Sequence, residues 1–298
     1  MVRRPGWRAR RGVTLSACVV CGGATRSYRH AWLQRCSSCG ILRGDFPIAI
    51  PAEASDALLD EALREVGLGA LRARNNGRLL RALGGLSPAG ARLLDVGCGP
   101  GFLLSLARDH GFEPEGIEPD ANVVEAARSM GAEVRHGFFP AALAADDQYD
   151  VIVFNDVLEH IPDLAGALEA SRRHLKPGGV LCLNCPSRRG LFFRTAALLD
   201  RLGLHGPYDR LWQRDLPSPH VWYFTPENLR QAATRAGFQP LDEVRLETVE
   251  IAGLWERIRY VRNQSLLSSI AAYAFSVAAL PLARALPSDA VAGFFRRP

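Results

Sequence analysis

Outside its first eleven residues, this 298-residue chain has no net charge. Arg3, Arg4, Arg8, Arg10 and Arg11 supply the whole formal +5, because without them 31 of the 36 basic side chains remain against 31 acidic ones. A main domain with no basic excess lacks the concentrated positive face of a nucleic-acid binder, so no nucleic-acid partner is expected. Lysine is almost missing: Lys176 is the only one. The heavy arginine and alanine usage reflects genomic composition more than chemistry. A credible secretory leader is missing too, since Val13 to Val20 is short and is broken by Thr14 and Ser16. Residues 1–15 are expected to form a disordered basic tail, and the protein is expected to be cytoplasmic. In a reducing compartment its seven cysteines are not disulfide partners by default.

What is present begins with those cysteines. Cys18-Val19-Val20-Cys21 and Cys36-Ser37-Ser38-Cys39 are two C-x-x-C hooks, with Gly22-Gly23 and Gly40 where each knuckle must turn back. Four thiolates in two hooks match a tetrahedral structural zinc site with no open position for water. The segment between them is too short for its own core, so metal binding would supply its folding free energy. Residues 16–45 are read as a zinc-binding head. Cys182 and Cys185 share the spacing, but on a strand they point to opposite faces and are read as core.

The stretch from Leu93 to Gly101, LLDVGCGPG, carries the most chemistry. An apolar strand ends at Asp95-Val96 and is followed by Gly97, Cys98, Gly99 and Gly101, then by a helix from Phe102 to His110. Glycines let a ligand approach backbone N–H groups closely, and Cys98 is a compact filler. A dinucleotide fingerprint would need glycine at 102, where Phe102 stands, which disfavours a nicotinamide oxidoreductase. Glu113 to Asp120 reads as a second strand, with Glu118 and Pro119 at its C-terminal end, where an acceptor can take both ribose hydroxyls. Asp120 caps a helix over 120–130, and a third strand starts at Glu133. Tyr149 to Phe154 is a fourth strand, with Asn155 to Pro162 at its mouth, and His174 to Leu181 reads as helix end, tight turn and fifth strand.

The D-x-G-x-G-x-G loop, the acidic strand end, the Asn155–Pro162 edge and the LKPGG turn resemble, in order and spacing, the motifs of class I S-adenosylmethionine-dependent methyltransferases. The resemblance runs from about Arg72 to Arg297. It implies an α/β fold: a doubly wound, seven-stranded Rossmann-like sheet whose last strand is antiparallel, with the small zinc head and a helical C-terminal insertion added. It also implies that Asp95 and Gly97–Gly101 seat the methionine portion of S-adenosylmethionine, with Asn155 and Asp156 at the methyl-transfer edge. Glu118 would take the ribose. The family often places an acidic residue after the third strand, but this chain has His136-Gly137-Phe138-Phe139, so Phe138 is left to stack on adenine. Zinc-ribbon heads of this kind also resemble those of sugar C-methyltransferases, whose large additional C-terminal domain is missing here.

Methyl transfer from a sulfonium needs an oriented acceptor and the removal of at most one proton, for which histidine is suited. His160 lies in Asp156-Val157-Leu158-Glu159-His160, which resembles the acidic-x-x-Glu-His element of ubiquinone-pathway O-methyltransferases that holds a divalent cation. Here the first position is the shorter Asp. His220 lies in Pro219-His220-Val221-Trp222-Tyr223-Phe224-Thr225-Pro226, after a loop and before a helix capped by Thr225. Base, metal ligand, helix cap and loop pin all remain open for these two.

The rest is helical. Ser55 to Val66 and Leu71 to Leu83 have helical spacing, so 52–86 is read as a linker helix and a cofactor-covering helix, with Arg72 and Arg74 near the methionine carboxylate or in solvent. The methyltransferase domain is assigned to 87–298, with insertions at 186–218 and 252–287. The first is arginine-rich and should roof the acceptor. Phe238 to Val249 and Asp289 to Arg297 are read as the last two strands. Between them, residues 263–283 carry no charge and approach the roughly 20 residues that span a bilayer. Leu266, Ile270, Tyr273, Val277 and Leu280 form their apolar stripe, with Pro281 breaking the end. A lid helix, or one lying on a membrane or a homodimer partner, is favoured over a span. The function expected is methylation of a small-molecule acceptor, most readily at oxygen. A catalytically silent binding module, sugar C-methylation and a lipid-linked acceptor are the alternatives.

Overall fold

The computed structural model describes residues 17–46, 60–214, 216, 218–260 and 265–298. The tail at 1–15 and the start of the expected linker helix fall outside the described residues. Within them, β1 (Thr25–Tyr28), β2 (His30–Cys36) and β3 (Leu42–Gly44) form the head, followed by α1 (Glu61–Leu86). The main domain then runs β4 (Arg92–Val96), α2 (Phe102–Asp109), β5 (Glu113–Glu118), α3 (Ala121–Ser129), β6 (Val134–His136), β7 (Tyr149–Asn155), α4 (Leu164–His174) and β8 (Leu175–Pro186). After it come α5 (Leu191–Arg201), α6 (Gly206–Leu211), β9 (Trp222–Tyr223), α7 (Pro226–Arg235), β10 (Gln239–Val244), α8 (Leu254–Arg259), α9 (Leu266–Ala285) and β11 (Ala290–Arg296).

Seven strands form the central sheet in the order β10-β11-β8-β7-β4-β5-β6, with β4 to β8 parallel and β11 antiparallel to both neighbours. The order reverses beside β4, and the crevice at that switch point is where open α/β sheets bind ligands. Strand β7 is apolar on both faces because both are covered. Val151 and Val153 meet Leu79, Leu80 and Leu83 of α1 on one side. Ile152 and Phe154 meet Leu164, Leu168 and Leu229 on the other. Cys182 and Cys185 divide between these two layers, as their odd spacing requires.

Four local expectations need correction. The LKPGG segment is not a separate turn: β8 starts directly at Leu175, and its register jumps from Tyr149↔Leu175 to Val151↔Val180, so the glycines form a bulge inside the strand. The sixth strand stops at Val244 instead of Val249, because β11 ends its pairing there at Ala292. The two helices expected around residue 68 are one continuous α1. Gly67 lies inside this helix, where a Cβ would stand 2.3 Å from the Arg257 nitrogen, so its missing side chain lets α8 pack closely. Pro281 sits within α9, on its exposed side, and does not end it.

The head is not self-contained. Its sheet runs β1-β2-β3-β9, so its fourth strand comes from residues 222–223 of the main domain, with Leu42↔Tyr223 and Arg43↔Trp222 in register. Val20, Cys36 and Ile41 share one core with Trp222 and Phe224.

Candidate active site

Strand β4 delivers Asp95 to the crevice, where it is buried and its Oδ1 has no hydrogen-bond partner among the described residues. Burial, and after it the charge of Glu118, raises this carboxyl well above the usual range. The loop that follows turns through left-handed glycines, with φ of +69° at Gly97, +55° at Gly99 and +86° at Gly101. A Cβ at Gly97 would stand 2.7 Å from Val157, so only glycine lets this loop pass the turn after β7. The Gly97 and Cys98 N–H groups donate to the Ile117 carbonyl at 2.7 and 3.1 Å. Glu118 completes the pinning: its Oε2 accepts from Gly99 N and its Oε1 from Asp120 N, both at 3.0 Å. Cys98 packs inward with Leu104 and Val124. Pro119 lies beside the crevice, its carbonyl 3.1 Å from His136 Nε2, and Phe138 stands 59% exposed after β6. From α1, the Arg72 guanidinium lies 5.8 Å over the Phe102 ring, while Arg74 instead pairs with Glu250 at 3.0 Å.

The other half of the crevice is built on the end of β7. Asn155 donates to Asn76 Oδ1 of α1 at 3.1 Å, and Asn184 of β8 donates to Asn155 Oδ1 at 2.8 Å and to Asp156 Oδ1 at 3.2 Å. Asp156 holds a left-handed φ of 58°. A single 3₁₀ turn at Leu158–His160 then sends Glu159 inward, where it is 1% exposed with Oε2 unpartnered. Burial, and then the Asp156 charge, pushes the Glu159 carboxyl well up.

The two histidines found separately in the sequence meet here. Their ring centroids are 4.8 Å apart, edge to face, and their Nε2 atoms lie 3.9 Å (His160) and 4.0 Å (His220) from Glu159 Oε1. They are held differently. His160 Nδ1 faces the Pro219 carbonyl and Ser218 Oγ, each at 3.0 Å; a carbonyl can only accept, so Nδ1 carries the proton and Nε2 is the acceptor nitrogen. His220 Nε2 accepts from the Gln213 amide at 2.9 Å, and its Nδ1 lies 3.4 Å from the Tyr223 hydroxyl, which donates to Leu211 O. Burial and the neighbouring His160 push His220 well below the ordinary histidine pKa.

The loop bearing His220 hangs from both sheets. Val221 N–H donates to Glu159 O at 2.7 Å, Gly44 N–H to Val221 O at 2.9 Å, and Trp222 Nε1 to Ile161 O at 2.8 Å. Behind it lie the head's four thiols, all within 4.8 Å of one another, with Cys18–Cys39 at 3.7 Å and Cys21–Cys36 at 3.4 Å. A tetrahedral zinc–thiolate centre with bonds of about 2.3 Å has edges of about 3.8 Å, so the set fits. The hooks are alike: Gly22 N donates to Cys18 O and Gly40 N to Cys36 O, with φ of +77° and +71°. Against burial, which raises it, the N–H groups of Cys39 and Ser38 draw the Cys36 thiol down to about 6.

Asn76, Asn184, Gln213 and Ser218 were not singled out from sequence. Asn184 had a signal, a lone amide in the apolar run LCLNCP, as did Asn76 on the buried side of α1; Gln213 and Ser218 had none. The arginines of 186–214 do not gather into one grip. Arg189 pairs with Glu227 and Arg214 with Asp209, and Arg210 donates to Ile258 O. Among the described residues the crevice instead offers unpartnered acceptor oxygens from Asp95, Glu159 and Asn184, which suits a ligand rich in hydrogen-bond donors, such as a sulfonium amino acid.

Comparison with known proteins agrees with this geometry. A family model described as a methyltransferase domain matches residues 69–243. The chain is 31% identical over 176 residues to a ubiquinone biosynthesis O-methyltransferase of Ruegeria pomeroyi, covering 56% of this chain and 67% of the relative. It is 34% identical over 176 residues to one from Psychrobacter arcticus, covering 53% and 63%. It therefore spans about two thirds of the length of these curated relatives. Among solved structures, a chain from the Haloferax volcanii complex of the Trm112 methyltransferase activator with a methyltransferase superposes with a TM-score of 0.56 at 17% identity, covering 83% of this chain and 96% of that one. A Thermotoga maritima SAM-dependent methyltransferase gives 0.51 at 18% identity, covering 80% and 95%. The match across more than half of the chain, on a seven-stranded sheet with a glycine-loop crevice at its switch point, makes this protein a member of the class I S-adenosylmethionine-dependent methyltransferase family.

Proposed function

We propose that this enzyme methylates an oxygen of a small-molecule acceptor held under α5 and α6, with His160 as the general base. The observation that carries the reading is the His160–His220 pair over the buried Glu159, at the strand edge beside Asp156. Bound S-adenosylmethionine supplies an electrophilic methyl group for in-line displacement. Asp95 and the Gly97–Gly101 loop, with Cys98 as its filler, would seat the methionine portion, while Arg72 meets its carboxylate. Glu118, whose oxygens hold the Gly99 and Asp120 N–H groups, would accept from the ribose hydroxyls. Pro119 and Phe138 border the adenine, and Asn155 and Asp156 border the methyl-transfer edge. His160 Nδ1 faces the Pro219 carbonyl, so Nε2 is the nitrogen that would take the acceptor's proton, whereas His220 Nε2 accepts from Gln213; His220 would position and His160 deprotonate. Cys18, Cys21, Cys36 and Cys39 would hold a structural zinc that supports this loop from behind.

A second reading rests on one geometric fact: Glu159, His160 and His220 offer ligand atoms within 4.8 Å of one another, enough for a divalent cation that binds acceptor hydroxyls. One experiment addresses both. Purified protein is incubated with methyl-tritiated S-adenosylmethionine and an ultrafiltered metabolite extract, with and without a chelator too weak to strip a tetrathiolate zinc. Labelled product whose methyl is released by hydriodic acid identifies an O-methyl ether. His160→Ala should bind S-adenosylhomocysteine normally and form no product. Label that resists acid cleavage would overturn O-methylation, and activity lost to the chelator would favour the cation over the base.

A further inference from the structure

Helix α9 is attached mainly along one stripe, which shares only Tyr273 and Leu280 with the apolar one. Ser269, Tyr273, Ser276, Leu280 and Ala283, spaced four, three, four and three, face the protein. Leu280 and Tyr273 pack there with Val249, Leu254 and Ile258. The stripe expected to be covered is largely turned outward, with Leu266 56% exposed, Ile270 49% and Val277 36%. The small serines explain the reversal, because they allow close approach to the fold; Ser269 is fully buried and bonds to Ser265 O. Leu267, Phe275 and Leu282 are exposed on further sides of the helix. From Leu266 to Ala283 the helix has no charge, and its mean hydropathy is 1.8. Single exposed leucines need no explanation, but a helix of 20 residues, about 30 Å long, that is apolar around most of its circumference does.

We propose that α9 docks the enzyme on a lipid bilayer, lying in the membrane plane. A second copy of this chain could cover one further seam of the helix and would leave its other sides in water. Lipid chains surround it on every side that the protein does not. The helix lies along the surface and does not cross it, because both ends return to one fold: α8 precedes it and packs in the same small core, and β11 follows it into the central sheet. The rim has interfacial chemistry. Trp255 is 37% exposed, stands edge-on to Tyr273 at 5.9 Å and carries the Arg259 guanidinium 5.8 Å over its ring; Arg284 is exposed at the far end. Arginine and tryptophan bordering an apolar surface match anionic headgroups above hydrocarbon. The helix also touches the acceptor side, through Phe275 edge-on to Phe192 of α5 at 5.9 Å. This inference stands on α9 and its rim, independent of the O-methylation reading.

The test is flotation of the full chain with vesicles of phosphatidylglycerol and phosphatidylcholine. Wild-type protein should float with the vesicles. The combined variant Leu267→Glu, Ile270→Glu, Val277→Glu should lose about tenfold or more of its bound fraction, since each carboxylate resists burial in hydrocarbon. Its S-adenosylhomocysteine affinity should be unchanged, which shows that the fold is kept. Leu267→Glu alone, at a position 79% exposed, provides a milder variant that cannot unfold the core and should still weaken flotation measurably. Wild-type protein that stays at the bottom of the gradient overturns the proposal, as do variants that float equally well. A dimer by sedimentation velocity that the variants dissociate, without vesicle binding, assigns the face to a second copy instead.

Discussion

Replacing Glu118 by alanine tests the cofactor half of the site without any knowledge of the acceptor. Its carboxylate receives Gly99 N–H and Asp120 N–H at 3.0 Å each, one on each oxygen, so it fastens the glycine loop to the start of α3. In the proposed role the same two oxygens accept from the ribose hydroxyls. A hydrogen bond to a charged group contributes about 1.5–3 kcal/mol, and the half-buried position favours the lower end. Two lost ribose bonds then amount to about 3 kcal/mol, or about 100-fold in dissociation constant. The loop itself loses two bonds, worth about 2 kcal/mol together and about 5 °C in melting temperature. Glu118→Gln should not rescue binding, because the amide nitrogen must face one of the two backbone N–H groups whichever way it is set. Calorimetry with S-adenosylhomocysteine reads the affinity, and a melting curve separates a loosened loop from a lost contact. Affinity of the alanine variant within about threefold of wild type would refute the assignment of Glu118 to the ribose.

Three further outcomes are expected. His220 is held below its ordinary pKa by burial, so the unfolded chain takes up a proton first as pH falls past about 6.5; its stability contribution is present above that pH and is lost on acidification. Urea midpoints at pH 7.5 and 5.5 should show wild type losing about 1 kcal/mol more than His220→Asn, and equal losses would contradict the burial argument. If the four thiolates hold the proposed zinc, a chelator strong enough to strip it should speed amide exchange at residues 221–224 and 42–44 while β4 and β5 stay protected; unchanged exchange in 221–224 would show that the head does not support the loop bearing His220. Lys176 Nζ contacts Asp150 Oδ2 at 2.8 Å with its side chain 43% exposed, so Lys176→Met should cost under about 1 kcal/mol in denaturant unfolding.

Legibility followed sequence separation. The cofactor half is local: strand, glycine loop and helix lie within eighteen positions of Arg92, and Glu118 follows at the next strand end, so spacing alone placed each part. The hooks at Cys18–Cys21 and Cys36–Cys39 were equally local, and their turn glycines took the left-handed conformation that the knuckle needs. The acceptor half was not legible in the same way. His160 and His220 were each picked out, yet neither spacing nor periodicity says that residues sixty apart put their rings 4.8 Å from each other. Gln213, whose amide donates to His220 Nε2, looks like any polar residue after a helix. The apolar periodicity of α9 marked residues that avoid water without saying what covers them: the fold contacts Tyr273 and Leu280 together with small residues, while Leu266, Ile270 and Val277 stay exposed.

The shared strand β9 gives the head a role that its sequence position conceals. A four-cysteine element near the start of the chain invites reading as a separate module, but a separate module would close its own sheet. This one borrows Trp222 and Tyr223, and the residue just before that pair, Val221, donates to the backbone of Glu159 and accepts from Gly44. Tyr223 in turn faces His220 Nδ1, while the Arg43 guanidinium lies 5.4 Å over the Trp222 ring from the head's side. His220 is thus fixed between two sheets that belong to different parts of the chain. The same contacts explain why the loop can carry a neutral, buried histidine at all: with its backbone held at both ends and both ring nitrogens facing partners, burial no longer strands a polar group. The head is therefore part of the scaffold of the His160–His220 pair, and substitutions at Gly40 or Ile41 should reach that pair before they reach the glycine loop.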